Sequence, residues 1–366
     1  MTADQVGIGI PMSLPARLTL SLCLLLLAGA LMAPVAGAWD SSNPTSGPSN
    51  PLAGQKWFVD WKWGMSQRQY KSYRHHRQRH KASLIYKLAR QPQTKRFGTW
   101  DPHPSRAARA YLNRMRETAP GAMTFLYVYR FKHTGCGARA TYHGKYQRGY
   151  DAGGSREATR YRAWIDGFAR GVGTSKVAIW LEPDGLGTME CLSANGRRIR
   201  YSLFHYAIDR LSRNPNAAIY LDGGASDWLK WRTQASLLRK AGVGDPRVRG
   251  FFLNATHFDW TNRNIRYGDV LARALGGKHY VISTAANGRG PYRLHRAKRS
   301  YDELRCNPPG RALGPEPTVR TASIWADAYF FIGDPGRSAG TCHGGPPTGS
   351  WFPNYALALA KRANWK

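Results

Sequence analysis

The sequence predicts an α/β protein, a distorted parallel β/α barrel of about seven strands in one domain over residues 55–366. Three observations lead there. Runs of strand formers recur along the chain, segments with helical periodicity lie between them, and turn residues close the runs. After a first strand at about Lys56–Asp60, the candidates are Thr124–Phe131, Val177–Leu181, Ala217–Leu221, Gly250–Asn254, Tyr280–Ser283 and Asp327–Ile332. Parallel strands need long crossovers, which the helical segments supply. This count favours a closed barrel over an open sheet. No internal repeat, GxGxxG or P-loop pattern is present.

The elements follow in chain order. Arg17 supplies a positive n-region, Leu18 to Leu27 is nearly all apolar, and Ala36-Gly37-Ala38 has the small residues of a cleavage site. Residues 1–38 therefore read as a signal peptide cut before Trp39, which predicts a secreted protein. The alternative is an uncleaved N-terminal anchor, since about 20 apolar residues span a bilayer. Membrane contact is expected only in that case. Residues 39–54 are a flexible linker rich in Pro, Gly and Ser. Further on, Tyr161, Trp164, Ile165, Phe168 and Val172 share one helix face. Phe204, Ile208 and Leu211 repeat that spacing, and Ala235–Lys240 ends before Gly242, a helix stop.

Composition sets the class of partner. The chain carries 54 Lys and Arg against 22 Asp and Glu, a net charge of +32. Such a field favours anionic partners without choosing among them. No carboxylate lies between Asp60 and Asp101, while Arg68, Lys71, Arg74, Lys87 and Arg96 are among the cations there. Residues 68–96, with Tyr70, Tyr73 and Tyr86 interleaved, could present one basic helix face to an anionic surface polymer. The plainer reading is a solvated face, and it is preferred. Nucleic acid is disfavoured, because an exported chain with disulfides rarely meets it. If Cys23 leaves with the signal, Cys136, Cys191, Cys306 and Cys342 remain, with three possible disulfide pairings. Their wide spacing argues against a zinc site, and no metal or organic cofactor is called for.

In a parallel barrel the strand C-termini meet at one face, where catalytic side chains project. The run Val177–Leu181 stops at Glu182-Pro183-Asp184-Gly185, which puts Asp184 there, unless it merely caps the next helix. The same rim receives Tyr127, Tyr129, Asp222, Asp227, Trp228, Asn254, His257 and Asn287. Carboxylates, amides and aromatic faces together suit a sugar: rings stack on pyranoses, and a carboxylic acid can protonate a glycosidic oxygen.

Several motifs sharpen this reading. Trp180-Leu-Glu-Pro-Asp-Gly-Leu186, Ile219-Tyr-Leu-Asp-Gly-Gly-Ala-Ser-Asp-Trp228, Tyr161-Arg-Ala-Trp-Ile-Asp-Gly-Phe168, Asn287-Gly-Arg-Gly-Pro291 and Cys306-Asn-Pro-Pro-Gly-Arg-Ala-Leu-Gly314 occur in that fold's order, with Trp351 and Tyr355 near the end. In these segments the chain resembles glycoside hydrolase family 6, the secreted β-1,4-glucanases and cellobiohydrolases. The resemblance implies a distorted seven-stranded β/α barrel that hydrolyses β-1,4-glucosidic bonds with inversion. It implies Asp184 as proton donor, Asp222 as a second aspartate of the site, and Tyr127, Trp228, Asn254 and Asn287 as sugar-binding positions. It further implies the disulfides Cys136–Cys191 and Cys306–Cys342.

The chain also departs from that pattern. The aspartate that usually precedes the first disulfide cysteine is missing from Lys132-His-Thr-Gly-Cys136. The family's Glu-x-Asp-Gly motif, whose aspartate is the proposed base, reads Arg337-Ser-Ala-Gly340 here, so Ala339 stands at the aspartate. A usual lysine falls on Gly333 and a subsite tryptophan on Arg96. Substitutes for the base are Asp334, or Asp222 or Asp227 through water. A third possibility is a substrate that carries its own acid. The sequence thus supports a secreted β-glucan hydrolase of reduced activity. The alternative is a non-catalytic carbohydrate-binding protein on the same barrel, suited to an anionic glycan.

Overall fold

The computed structural model describes residues 50–131, 141–142, 145–146, 154–292 and 304–365. Seven parallel strands form one curled sheet: Thr94–Gly98 (β1), Thr124–Tyr129 (β2), Val177–Leu181 (β5), Ala217–Asp222 (β6), Val248–Leu253 (β7), His279–Ser283 (β8) and Ala326–Phe330 (β9), paired in that order. A small antiparallel hairpin, Thr141–Tyr142 (β3) with Lys145–Tyr146 (β4), stands apart. Among the described residues no ladder joins β1 to β9, so the barrel is left open between them.

Alternation along the strands builds two cores. Phe125, Tyr127, Trp180, Tyr220, Phe252, Val281 and Phe330 face inward and pack on one another. Trp180 is fully buried, and Phe125 and Phe330 bring their ring centroids to 4.0 Å across the open side of the barrel. The alternate residues Leu126, Val128, Ile179, Leu181, Leu221, Phe251 and Ile282 face outward and meet the helices. This period of two on each strand makes the sheet a wall with helices outside and a filled interior.

The helices carry the chain back between strands. They are Met65–His75 (α1), Arg79–Ala89 (α2), Pro104–Thr118 (α3), Gly154–Val172 (α4), Ala194–Leu211 (α5), Trp231–Lys240 (α6), Thr261–Ala274 (α7) and Pro353–Lys361 (α8). Ser193 caps α5 by accepting from the Gly196 N–H at 2.8 Å. Beyond α6 the chain leaves the helix through Gly242 at φ 95°, as its sequence suggests.

Two sequence-based expectations need correction. Lys56–Asp60 is not a barrel strand. It makes an isolated bridge, Trp57 with Met123, and then turns away at Trp61–Trp63. Its place is taken by β1, whose residues Lys95 and Arg96 face the cleft described below and so hide the strand from a hydrophobicity reading. The basic stretch is not one helix face either. It breaks at Arg77, φ 56°, into α1 and α2, and Tyr73 is buried.

At the bottom of the barrel the buried Asp327 accepts both Arg249 contacts at 2.7 and 2.8 Å and the Tyr220 hydroxyl at 2.8 Å. Although burial opposes its charge, hydrogen bonds from Arg249 and His279 hold its pKa below the ordinary value. At the same end of the barrel, a Cβ on Gly250 would collide with the His279 carbonyl oxygen on β8. Gly250→Ala is therefore expected to cost about 1–3 kcal/mol, as for other overpacked cores, read as a lower midpoint in urea unfolding.

Candidate active site

The C-terminal ends of the strands open into one cleft of about 1190 Å³, larger than the roughly 300–1,000 Å³ of small-ligand pockets and suited to an extended chain. Its wall includes Tyr127, Asp184, Trp228 and Asn254, so the structure brings these sequence-selected residues together. A cavity of about 980 Å³ on α3 and α4 gathers arginines but holds none of these rim residues.

The turn after β5 is built by a carboxyl. Glu182 is fully buried, and its oxygens accept from the Arg130 N–H at 3.0 Å and the Phe131 N–H at 2.9 Å, at the end of β2. Burial pushes its pKa up to about 7, against those hydrogen bonds and one from Tyr161. Glu182 and Asp184 take left-handed backbone, φ 55° and 64°, which non-glycine residues seldom adopt. This double reversal turns Asp184 into the cleft. Asn254, φ 66°, does the same at the end of β7.

At Asp184, Oδ1 accepts from the Thr256 hydroxyl at 2.7 Å. Burial raises the Asp184 pKa, against that hydrogen bond and the charges of His257 and Arg305. Asp222 lies behind the cleft wall, 3% exposed, and accepts from the Gly224 N–H at 3.0 Å. Its pKa is pushed up to about 7, first by burial and next by the Asp184 charge, against hydrogen bonds from the Gly224, Leu186 and Gly187 amides. Two neighbouring carboxyls in a dry site resist double ionisation, so the pair keeps a proton towards neutral pH.

Trp228 lies against Gly187, where any Cβ would strike the indole. Its other neighbour is His257, stacked at 4.9 Å between centroids. His257 Nδ1 pairs with Asp227 Oδ1 at 2.6 Å. Burial lowers the His257 pKa, against that bond. Asp227 is held below the usual carboxylate range: burial opposes its charge, but the His257 hydrogen bond and the Arg305 charge outweigh it. Asp227 is thus already engaged by a neighbouring ring.

Asn254 and Asn287 mostly serve the frame. Asn254 Nδ2 donates to the Ser283 and Asp259 carbonyls at 3.0 and 3.2 Å. Asn287 does not line the cleft. It is 1% exposed and donates to the Asp259 carbonyl at 3.0 Å, tying two loops together behind the wall.

Opposite the β5 turn, the loop 338–342 is strapped down. Asn307 Nδ2 donates to the Gly340 carbonyl at 2.7 Å, and its Oδ1 accepts from the Ala339 N–H at 2.9 Å. Cys306 and Cys342 form a disulfide across the same loop, Cα–Cα 6.0 Å. Cys191 is also disulfide-bonded, while Cys136 lies outside the described residues. The loop presents Ala339 to the cleft as an exposed methyl. The nearby Asp334 is gripped by Arg337 Nε at 2.7 Å and Arg96 Nε at 3.2 Å. The Arg96 guanidinium also lies 4.8 Å from the Tyr127 ring centroid. Sequence reasoning missed Trp100, 54% exposed on the cleft wall, together with Arg305, Glu190 and Thr256. Trp100 could have been found had β1 been recognised, since it lies just past that strand's end.

The family model of glycosyl hydrolases family 6 matches residues 52–363. The chain belongs to this family. Among curated relatives it is 32% identical over 283 residues to endoglucanase A of Cellulomonas fimi, covering 77% of this chain and 57% of that protein. It is 30% identical over 282 residues to endoglucanase A of Thermobispora bispora, covering 76% and 56% respectively. The chain therefore spans little more than half the length of these two relatives. Among solved structures it resembles the endoglucanase Cel6 from Mycobacterium tuberculosis, determined with methyl-cellobiosyl-4-deoxy-4-thio-β-D-cellobioside. That match has a TM-score of 0.72 and 36% identity, and covers 86% of this chain and 99% of that one. The half-open seven-stranded barrel is thus a family 6 barrel.

The Asp222 shift has a consequence for stability. Its carboxyl binds a proton more tightly folded, with a pKa of about 7, than at the ordinary 3.8, so the folded state loses stability as pH rises between those values. Asp222→Asn cannot ionise and escapes that loss. Between the two ends of this window, the stability of wild type relative to Asp222→Asn should therefore fall by on the order of 4 kcal/mol, measured by urea unfolding across pH.

Proposed function

We propose that this family 6 chain is a secreted hydrolase of β-1,4-linked glucan that works with inversion and turns over slowly. The observation that carries the reading is Asp184. It projects into the cleft with a raised pKa, one oxygen held by Thr256 and the buried Asp222 behind it. Such a carboxyl can give its proton to a glycosidic oxygen while Trp228 offers an aromatic face to the leaving sugar. Burial disfavours ionisation of Asp184 and so prolongs its acid form.

Inversion also needs a base across the bond, at roughly 6.5–9.5 Å, to activate water. The loop that would present it offers the Ala339 methyl. Asp334 is a poor substitute, because two guanidinium groups already occupy its carboxylate. A second reading, glycan binding without cleavage, is favoured by this same observation. Export is inferred from the 1–38 segment and the disulfide. Among the described residues no helix is long and apolar enough to cross a membrane.

The test is hydrolysis of soluble β-glucan and cello-oligosaccharides, with reducing-end and anomer detection. Release of α-anomer supports the inverting enzyme, and binding by calorimetry without release supports the second reading. Asp184→Asn should lower kcat/KM by about 10²–10⁴-fold with oligosaccharide affinity retained. Ala339→Asp should raise kcat by a comparable factor, about 10²–10⁴-fold, if water activation limits turnover. An unchanged rate in that variant would place the bottleneck elsewhere.

A further inference from the structure

Outside the cleft the molecule exposes a cluster of aromatic rings that its fold does not use. Trp61, Trp63 and Tyr86 are 39%, 50% and 39% exposed. Trp61 meets Tyr86 at 6.3 Å and Tyr70 at 6.1 Å between centroids, and Tyr70 meets Tyr86 at 5.2 Å. These rings come from three places, the turn before α1, α1 itself and α2, so the patch is a product of packing. Single exposed aromatics are ordinary, but a contiguous group of them marks a binding surface.

Its charge is mostly positive: the carboxylate brought beside it from elsewhere, Glu316, is paired with Arg90 at 2.7 Å, next to the Tyr86 ring. No carboxylate occurs from Trp61 to Trp100. Lys62 Nζ stands 5.7 Å from the Trp63 centroid, and Lys71 Nζ donates to the Trp61 carbonyl at 2.7 Å. Asp60, at the edge, spends an oxygen on the Trp63 N–H at 2.9 Å. Along the chain the patch adjoins the cleft, since Met65, the first residue of α1, lines the cleft wall and closely follows Trp63.

We propose that Trp61, Trp63 and Tyr86 form a second glycan-binding platform, for a pyranose polymer bearing acidic groups. The rings stack on the C–H faces of the sugars, and Lys62 and Lys71 pair with carboxylates along the strand. A strand held here is presented to the cleft from its Met65 side. The choice of a glycan rests on the glycan reading of the cleft. The platform's binding does not depend on cleavage.

The test is affinity electrophoresis of the full chain in native gels containing carboxymethylcellulose or hydroxyethylcellulose, which share a backbone and differ in charge. Wild type should be retarded more by carboxymethylcellulose. Trp61→Ala with Tyr86→Ala should weaken that retardation about tenfold, the equivalent of 1.4 kcal/mol, with cello-oligosaccharide affinity of the cleft unchanged. Lys62→Glu, which leaves every ring in place, should weaken retardation by carboxymethylcellulose and spare that by hydroxyethylcellulose. Cello-oligosaccharide at a concentration that saturates the cleft should leave the retardation by carboxymethylcellulose in place, which separates this site from the cleft. Undiminished retardation of the aromatic double variant with a native thermal melt overturns the platform, as does loss of retardation when cello-oligosaccharide saturates the cleft. Equal retardation by both polymers overturns its acidic preference. Should the double variant not fold, the Lys62→Glu result decides. A single-stranded oligodeoxynucleotide that displaces carboxymethylcellulose at lower concentration than cello-oligosaccharide acids do would assign the patch to nucleic acid instead.

Discussion

The active-site rim depends on the buried carboxyl of Glu182. With no water to solvate it, it must be met by protein donors, and the Arg130 and Phe131 amides supply them. Those contacts lock the end of β2 to the end of β5. They also hold the left-handed backbone at Glu182 and Asp184 that aims the latter into the cleft. Arg130 in turn pairs with Glu157 on α4 at 2.7 Å, extending the clamp to the outer layer. The strain at the two positive-φ residues is tolerated because the surrounding structure over-determines them.

Across the cleft the same scaffold carries different chemistry. The Asn307 strap and the Cys306–Cys342 link set the backbone of loop 338–342 firmly, as a loop presenting a reacting group would need. What it presents is a methyl. The nearest loop carboxylate, Asp334, has been drawn into a pair of arginines, one from β1 and one from its own loop. On the proposed reading Asp184 supplies the acid, while the loop across the cleft offers a methyl and a carboxylate paired with two arginines.

The strong positive charge is also organised. Arg249 is spent inside the barrel on Asp327, and Arg130 on Glu157. Lysines of the N-terminal segment instead lie beside exposed rings. Cations used structurally are buried with a carboxylate, whereas those beside Trp61 and Trp63 face solvent. This division explains how one net charge of +32 can be both scaffold and surface.

Much of the fold was legible because it is local. Six of the strand candidates lie on strands of the barrel, displaced by at most a few residues, since period-two burial writes itself into Val177–Leu181 or Ala217–Asp222. The position of Asp184 followed from Pro183 and Gly185 stopping β5. The first strand was not legible. Lys95 and Arg96 face the cleft, so β1 lacks the apolar signature, while the aromatic run near Trp57 mimics one. Asn287 was likewise misplaced: its side chain turns behind the wall, a direction that the turn sequence does not encode. By itself the sequence determined the parallel α/β alternation, the acid at the end of β5 and the family motifs, because each depends on residues close together in the chain. Only the tertiary structure decided that Arg96 would capture Asp334, that Asp222 would sit dry behind Asp184, and that Trp61, Tyr70 and Tyr86 would meet. Those outcomes depend on which distant segments pack together, and spacing along one chain does not encode that choice.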